Sequence, residues 1–264
     1  MTPSPSSPLV LITGASSGIG QALALAYLQR GWRVALLARR TDVLQQWLHS
    51  LPQRWPAGQT CILGADVGDA DSMLLAAQQC MAQMGLPDVV IANAGISLGV
   101  DTAEREDLAV FEQVLRTNTL GVAHTFHPFI RAMQARGHGK LVGIASVAGI
   151  RGLPGHAAYC ASKAAVISYC ESLRGELRTQ RIQVITVAPG YIATPLTARN
   201  RYPMPFLMSA EAFAQSALTC IDRGDRWRVI PWPMGIVAKI LKVLPNALFD
   251  RLLKGQPRKH RHKD

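Results

Sequence analysis

An apolar run at residues 9–13 breaks into Gly14-Ala15-Ser16-Ser17-Gly18-Ile19-Gly20, and a helical pattern follows at 21–29. No other stretch constrains the chain as much. A strand that turns at once into a helix needs glycines where the backbone reverses and where helix and strand pack closely. The N–H groups at the helix start then point outward together, an arrangement suited to a pyrophosphate. The spacing is Gly-x-x-x-Gly-x-Gly rather than the Gly-x-Gly-x-x-Gly of the common dinucleotide fingerprint. Alone, the turn specifies strand, turn and helix and leaves its ligand open.

The same rhythm repeats along the chain. Apolar strand patterns at 33–38, 59–63, 88–92, 140–144 and 183–187 alternate with helical patterns at 42–50, 71–84, 108–133 and 158–178. Strands alternating with helices imply right-handed crossovers and a parallel sheet covered on both faces. Beyond Pro189-Gly190 the pattern loosens, with one more helix at 210–220 and an edge strand at 228–231. The expectation is an α/β fold, a doubly wound parallel sheet of Rossmann type in a single domain. Such sheets commonly exceed the usual domain size of roughly 150 residues as one unit, so 264 residues suffice. Residues 1–8, rich in Ser and Pro, read as a flexible N-terminus, 9–231 as the catalytic domain, and 232–264 as an amphipathic basic extension.

Tyr159 and Lys163 stand four apart on a predicted helix, so they share a face and their head groups can meet. A phenol titrates near 10, and an adjacent ammonium is expected to pull that value toward neutrality, making Tyr159 a usable acid and base. Ser146 follows the end of a strand, where the functional groups of parallel sheets converge. Its hydroxyl is positioned to hydrogen-bond a substrate oxygen as charge develops.

Thr13 to Gly20 resembles the TGxxxGxG signature of the short-chain dehydrogenase/reductase family. Asn93-Ala94-Gly95 is similar to that family's NAG motif, Asn118 to its helix asparagine, and Ser146 to its catalytic serine. Tyr159-Cys160-Ala161-Ser162-Lys163 is similar to YxxxK and Pro189-Gly190 to its PG turn, all in the family's order from residue 9 to 194. The resemblance implies a catalytic set of Asn118, Ser146, Tyr159 and Lys163. It implies that Gly14, Ser16, Ser17, Gly18, Ile19 and Gly20 cradle a dinucleotide, and that Lys163 also holds its ribose. It assigns Asp66 and Val67 to the adenine, Asn93 and Gly95 to the cofactor floor, and Ile192 and Thr194 to the carboxamide. Asn118 would anchor a water relaying protons from Lys163, and a homodimer or homotetramer is implied.

Cofactor choice rests on the end of the second strand. An acid there accepts the ribose hydroxyls of NAD, whereas a 2′-phosphate needs a cation. Here Ala38 is followed by Arg39 and Arg40, and Arg39 points to NADP. The expected reaction is hydride transfer between NADP(H) and a carbonyl or alcohol. The apolar segment 196–208, with Tyr202, Met204, Pro205, Phe206, Leu207 and Met208, favours a lipophilic substrate. A dinucleotide-binding redox sensor without turnover and a membrane-associated scaffold are the alternatives.

The net charge of +11 raises nucleic acid or a membrane surface as partners, but it is concentrated at the end. Arg251, Lys254, Arg258, Lys259, Arg261 and Lys263 face one acid, Asp264, in the last fourteen residues. The reading is no nucleic acid. Residues 234–243 and 247–253 are two short amphipathic helices split by Pro245. They suit either the interface of a membrane or a neighbouring subunit, the latter being the simpler use. Five scattered cysteines without CxxC spacing fit a reducing, cytoplasmic setting, with contact at the inner face of a membrane left open. His124 and His127, three apart, lack a third ligand of suitable spacing, so no metal is expected. Cys160 reads as an inert buried thiol, and His156 as a residue lining the pocket.

Overall fold

The computed structural model describes residues 7–53, 55–198, 200 and 203–255. Tyr202, residues 1–6 of the expected N-terminus and the basic end from 256 onward lie outside them. Six strands follow the expected pattern: β1 (Leu9–Thr13), β2 (Arg33–Ala38), β3 (Thr60–Gly64), β4 (Val89–Ala92), β5 (Gly139–Ile144) and β6 (Ile182–Pro189). A two-residue strand, β7 (Ile192–Ala193), pairs with β8 (Met208–Ser209), and β9 (Trp227–Ile230) joins the main sheet. The order β3-β2-β1-β4-β5-β6-β9 is parallel throughout. This is the Rossmann-type sheet expected from the alternation.

Both faces of the sheet are buried, which is why its strands read as nearly unbroken apolar runs. In β1, Val10 and Ile12 face one core and Leu9 and Leu11 the other. The first core is covered by α1 (Gly18–Gln29) and α7 (Ala210–Arg223), through residues such as Leu23, Tyr27, Phe213 and Leu218. The second is covered by α3 (Ala70–Met84), α5 (Gly121–Arg136) and α6 (Ala157–Glu176), through Met73, Phe126, Phe129 and Val166. Helix α2 (Thr41–Ser50) adds Leu44 to the first core.

One helix departs from its sequence pattern. The periodicity at 108–133 predicts a single helix, but the chain forms α4 (Asp107–Leu115), a π-type turn at Arg116–Leu120 and then α5. An extra residue inserted into a helical ladder widens it locally and often marks a functional position. Here it turns Asn118, fully buried, toward the C-terminal edge of β4. Gly121 follows because a Cβ there would approach Val67 Cγ2 to 2.8 Å.

The last elements among the described residues are α8 (Trp232–Val243) and α9 (Asn246–Leu253), the two expected short helices. Arg151, in the segment after β5, donates to the carbonyls of Leu241 and Leu244 and to Asn246 Oδ1. Its guanidinium also stacks 3.9 Å from the centre of the Phe249 ring. Among the described residues no helix is long and apolar enough to cross a membrane.

Candidate active site

In a doubly wound sheet the ligand crevice opens where the strand order reverses, beyond the C-terminal ends of the strands. In this sheet that point lies between β1 and β4. Thr13 Oγ1 accepts from the N–H groups of Asn93 and Ala94 at 3.1 and 3.2 Å. Asn93 Nδ2 returns the contact, donating to the carbonyls of Thr13 and Gly14 at 3.0 and 3.3 Å. Asn93 therefore holds the two strand ends together while lining the cleft.

The cleft has a volume of about 460 Å³. Gly14, Ser16, Ser17, Gly18 and Ile19 line it on the β1 side, and Arg39, Asp66, Val67 and Gly95 lie farther along. Ser146, Tyr159, Lys163, Ile192 and Thr194 line the other side. Gly20 supports the turn from behind, where an added Cβ would sit 2.2 Å from the Gly14 carbonyl oxygen. Gly14 has φ +66°, and a Cβ on it would come within 2.7 Å of Ala94 Cα. Ser17 caps α1 in extended backbone without a side-chain bond to the helix N–H groups, so the positive end of α1 is offered to the cleft. Turn and helix end together fit a pyrophosphate-bearing cofactor.

Ser146 ends the β5 segment as cap of a short 3₁₀ turn, its hydroxyl accepting from the Ala148 N–H at 3.2 Å. Tyr159 lines the cleft with it, near enough for the Ser146 hydroxyl to favour the phenolate. Lys163 follows Tyr159 one turn along α6, and its ammonium donates to the Ile144 carbonyl at 2.8 Å. Burial corrects the expected electrostatics. Lys163 Nζ is 5.9 Å from the centre of the Tyr159 ring, and burial pushes the phenol above its usual range against the opposing influence of the Ser146 hydroxyl. Burial also brings Lys163 down from 10.5 to about 8. Desolvation, which disfavours whichever form is charged, is the largest influence on both groups.

Asn118 is held differently from the other candidates. Its Oδ1 accepts from the Ile96 N–H at 2.8 Å, and its Nδ2 donates to the Ile96 carbonyl at 2.9 Å and to Ser162 Oγ at 3.0 Å. Ser162 in turn donates to the Tyr159 carbonyl at 2.8 Å. The side chain thus joins the segment after β4 to Ser162 in the second turn of α6, and it does not line the cleft.

Several residues that no sequence motif marks shape the site. Arg40 lines the cleft beside Arg39. Thr197 Oγ1 donates to the Ile192 carbonyl at 2.6 Å and accepts from the Thr194 N–H at 3.1 Å, fixing the loop after β6. No spacing in the sequence singles out Thr197. Arg39 is 64% exposed and lies 3.8 Å from Asp66, so an acid from the end of β3 does approach it, although none follows β2. His156 is buried, has Nδ1 3.1 Å from the Pro154 carbonyl, and does not line the cleft. His124 Nδ1 is 2.9 Å from the Val67 carbonyl. Cys160 is buried, and burial raises its thiol.

Comparison with known proteins agrees with this architecture. The profile of the short chain dehydrogenase family matches residues 8–204. The chain belongs to the short-chain dehydrogenase family and is an oxidoreductase. It is 41% identical over 241 residues to an uncharacterized oxidoreductase of Myxococcus xanthus (strain DK1622), covering 91% of this chain and 94% of that one. It is 32% identical over 271 residues to dehydrogenase/reductase SDR family member 7B of Bos taurus, covering 96% and 82%. Among solved structures, a short chain dehydrogenase from Burkholderia cenocepacia J2315 in complex with NADP superposes with a TM-score of 0.80 at 24% identity, over 96% of this chain and 100% of that one. A Burkholderia phymatum family member in complex with NAD gives 0.79 at 21% identity, over 89% and 92%.

The hydrogen bonds of Asn118 generate a stability prediction. Asn118→Ala removes the partner of the half-buried Ile96 N–H and carbonyl and of the buried Ser162 hydroxyl, at a cost of about 1–3 kcal/mol. Urea denaturation should show that loss, and an unchanged midpoint would mean that Asn118 does not hold the β4 and α6 segments together.

Proposed function

We propose that the chain transfers a hydride between NADP(H) and the carbonyl carbon of a lipophilic aldehyde or ketone, with Tyr159 handling the proton at the substrate oxygen. The observation that carries this reading is that Ser146, Tyr159 and buried Lys163 line the same cleft as the glycine turn. A pure redox sensor has no use for such a set. When bound, the nicotinamide supplies the hydride. Ser146 orients the substrate oxygen through its hydroxyl. Tyr159, kept protonated by burial, donates to that oxygen as negative charge grows on it. The Lys163 ammonium, below about pH 8, stabilises the phenolate that is left. Gly14, Ser16, Ser17, Gly18 and Ile19 would receive the pyrophosphate, Asp66 and Val67 the adenine, and Ile192 and Thr194 the carboxamide.

Support for NADP comes from Arg39 and Arg40 on the cleft wall. The Arg39–Asp66 pair is long and exposed, hence weak, so the guanidinium is available to a 2′-phosphate. Leu196 lines the cleft, and Met204, Pro205, Phe206 and Leu207 follow it in the apolar segment, which supports a lipophilic substrate. Five free cysteines, four of them buried, are in keeping with a cytoplasmic setting. Assembly as a homo-oligomer is carried over from the family.

Three outcomes test the proposal. Tyr159→Phe should lower turnover by roughly 10²–10⁴-fold while NADPH binding persists. Near-normal carbonyl reduction by that variant, on a panel of aldehydes and ketones, would sink the mechanism. Second, a charged hydrogen bond to the 2′-phosphate is worth about 1.5–3 kcal/mol, or about 10-fold to 150-fold in affinity. NADPH should therefore bind more tightly than NADH, and Arg39→Asp should abolish or reverse the ratio of dissociation constants. A wild-type ratio favouring NADH refutes the choice. Third, the Tyr159 phenol is raised, so the protonated donor is present throughout neutral pH. Lys163, lowered to about 8, is charged below that value and loses its proton above it. Reductive turnover should be flat on the acid side of pH 8 and fall beyond it, whereas oxidation, which needs the phenolate, should rise with pH. Parallel pH–rate profiles in the two directions would contradict this assignment.

A further inference from the structure

Helices α8 and α9 stand apart from the cleft. Helix α8 turns Met234 and Ala238 inward and leaves Trp232, Ile236, Ile240 and Val243 at exposures of 72, 51, 55 and 80%. Their spacing places all four on one face. Helix α9 buries Phe249 and exposes Leu248 and Leu252, again one turn apart. An outward apolar stripe of this length marks an interaction surface rather than scattered surface residues.

The strip of α8 beside that stripe is cationic. Gly235, Ala238, Lys239 and Lys242 line a second cavity, of about 510 Å³, whose lining also includes Arg174, Arg226 and Trp227. Its one carboxylate, Glu171, lies 3.9 Å from Arg174. Among the described residues no carboxylate stands within ion-pair distance of Arg226, Lys239 or Lys242. Beyond α9 the sequence continues with Arg258, Lys259, Arg261 and Lys263. The apolar stripe and the two lysines of the basic cleft share helix α8. The Arg151 bonds hold both helices against the body, so their outward faces are presented as a fixed surface.

We propose that this face docks on an anionic lipid surface. The exposed residues of α8 and α9 enter the interface while Lys239 and Lys242 meet the phosphates. Twelve residues in α8 and eight in α9 are too few to span a bilayer but suit helices lying in its plane. A second copy of the chain is the poorer occupant. A twofold contact would pair this face with itself and so set the cations Lys239, Lys242, Arg251 and Lys254 against an equally cationic patch, whereas an anionic leaflet neutralises them.

The test uses the full chain with phosphatidylcholine vesicles, with and without phosphatidylglycerol, sedimented at low and high salt. Binding should require phosphatidylglycerol and be lost in high salt, where exposed charges are screened. Lys239→Gln combined with Lys242→Gln should weaken partitioning about tenfold, and Ile236→Ser with Ile240→Ser at least as much. Because all four side chains are exposed, thermal midpoints should stay unchanged, and the salt series on the unaltered chain decides the matter if a variant misfolds. Equal binding to neutral vesicles, or none to anionic ones, overturns the proposal. So does a result in which the isoleucine variant dissociates an oligomer and leaves vesicle binding unaltered, which would assign the face to a second copy.

Discussion

The cleft depends on the join between β1 and β4. These neighbouring strands are followed by connections that leave in opposite directions, so a gap opens beyond their C-terminal ends, and only side chains can bridge it. Thr13 and Asn93 do so with four hydrogen bonds in both directions. Gly14 makes the bridge sterically feasible, since a Cβ there would strike the Ala94 backbone. With that seam closed, the α1 terminus is aimed into the cleft from one side, and the ends of β5 and α6 present Ser146, Tyr159 and Lys163 from the other.

Burial governs the chemistry of the second group. Proximity of an ammonium to a phenol suggests a phenol made more acidic, but both groups are largely removed from water. Each is pushed toward its neutral form, Tyr159 upward and Lys163 down to about 8. A protonated phenol beside a serine hydroxyl is a ready proton donor. In the proposed mechanism that protonated state serves reduction, and oxidation would require the phenolate.

Arg151 ties the C-terminal helices to the same region. It follows Ser146 by five residues, and through Leu244, Asn246 and Phe249 it fixes α8 and α9 to the segment between β5 and α6. The surface proposed to meet lipid is thus continuous, through one guanidinium, with the loop that carries Ser146.

Local pattern alone determined the order of strands and helices, because a sheet buried on both faces demands uninterrupted apolar strands and each crossover demands an amphipathic helix. The glycine turn, the Tyr159 and Lys163 spacing and the position of Ser146 were equally legible, being short-range features of the backbone. Tertiary structure decided what depends on distant partners. The π-type turn at 116–120 arises because Asn118 must reach Ile96 and Ser162, which no local periodicity encodes. Asp66 approaches Arg39, and Thr197 secures the loop after β6, only because the sheet assembles their segments side by side. The proton affinities of Tyr159 and Lys163 were likewise beyond the sequence. Spacing reports which groups are neighbours, whereas desolvation depends on how much of the folded protein surrounds them.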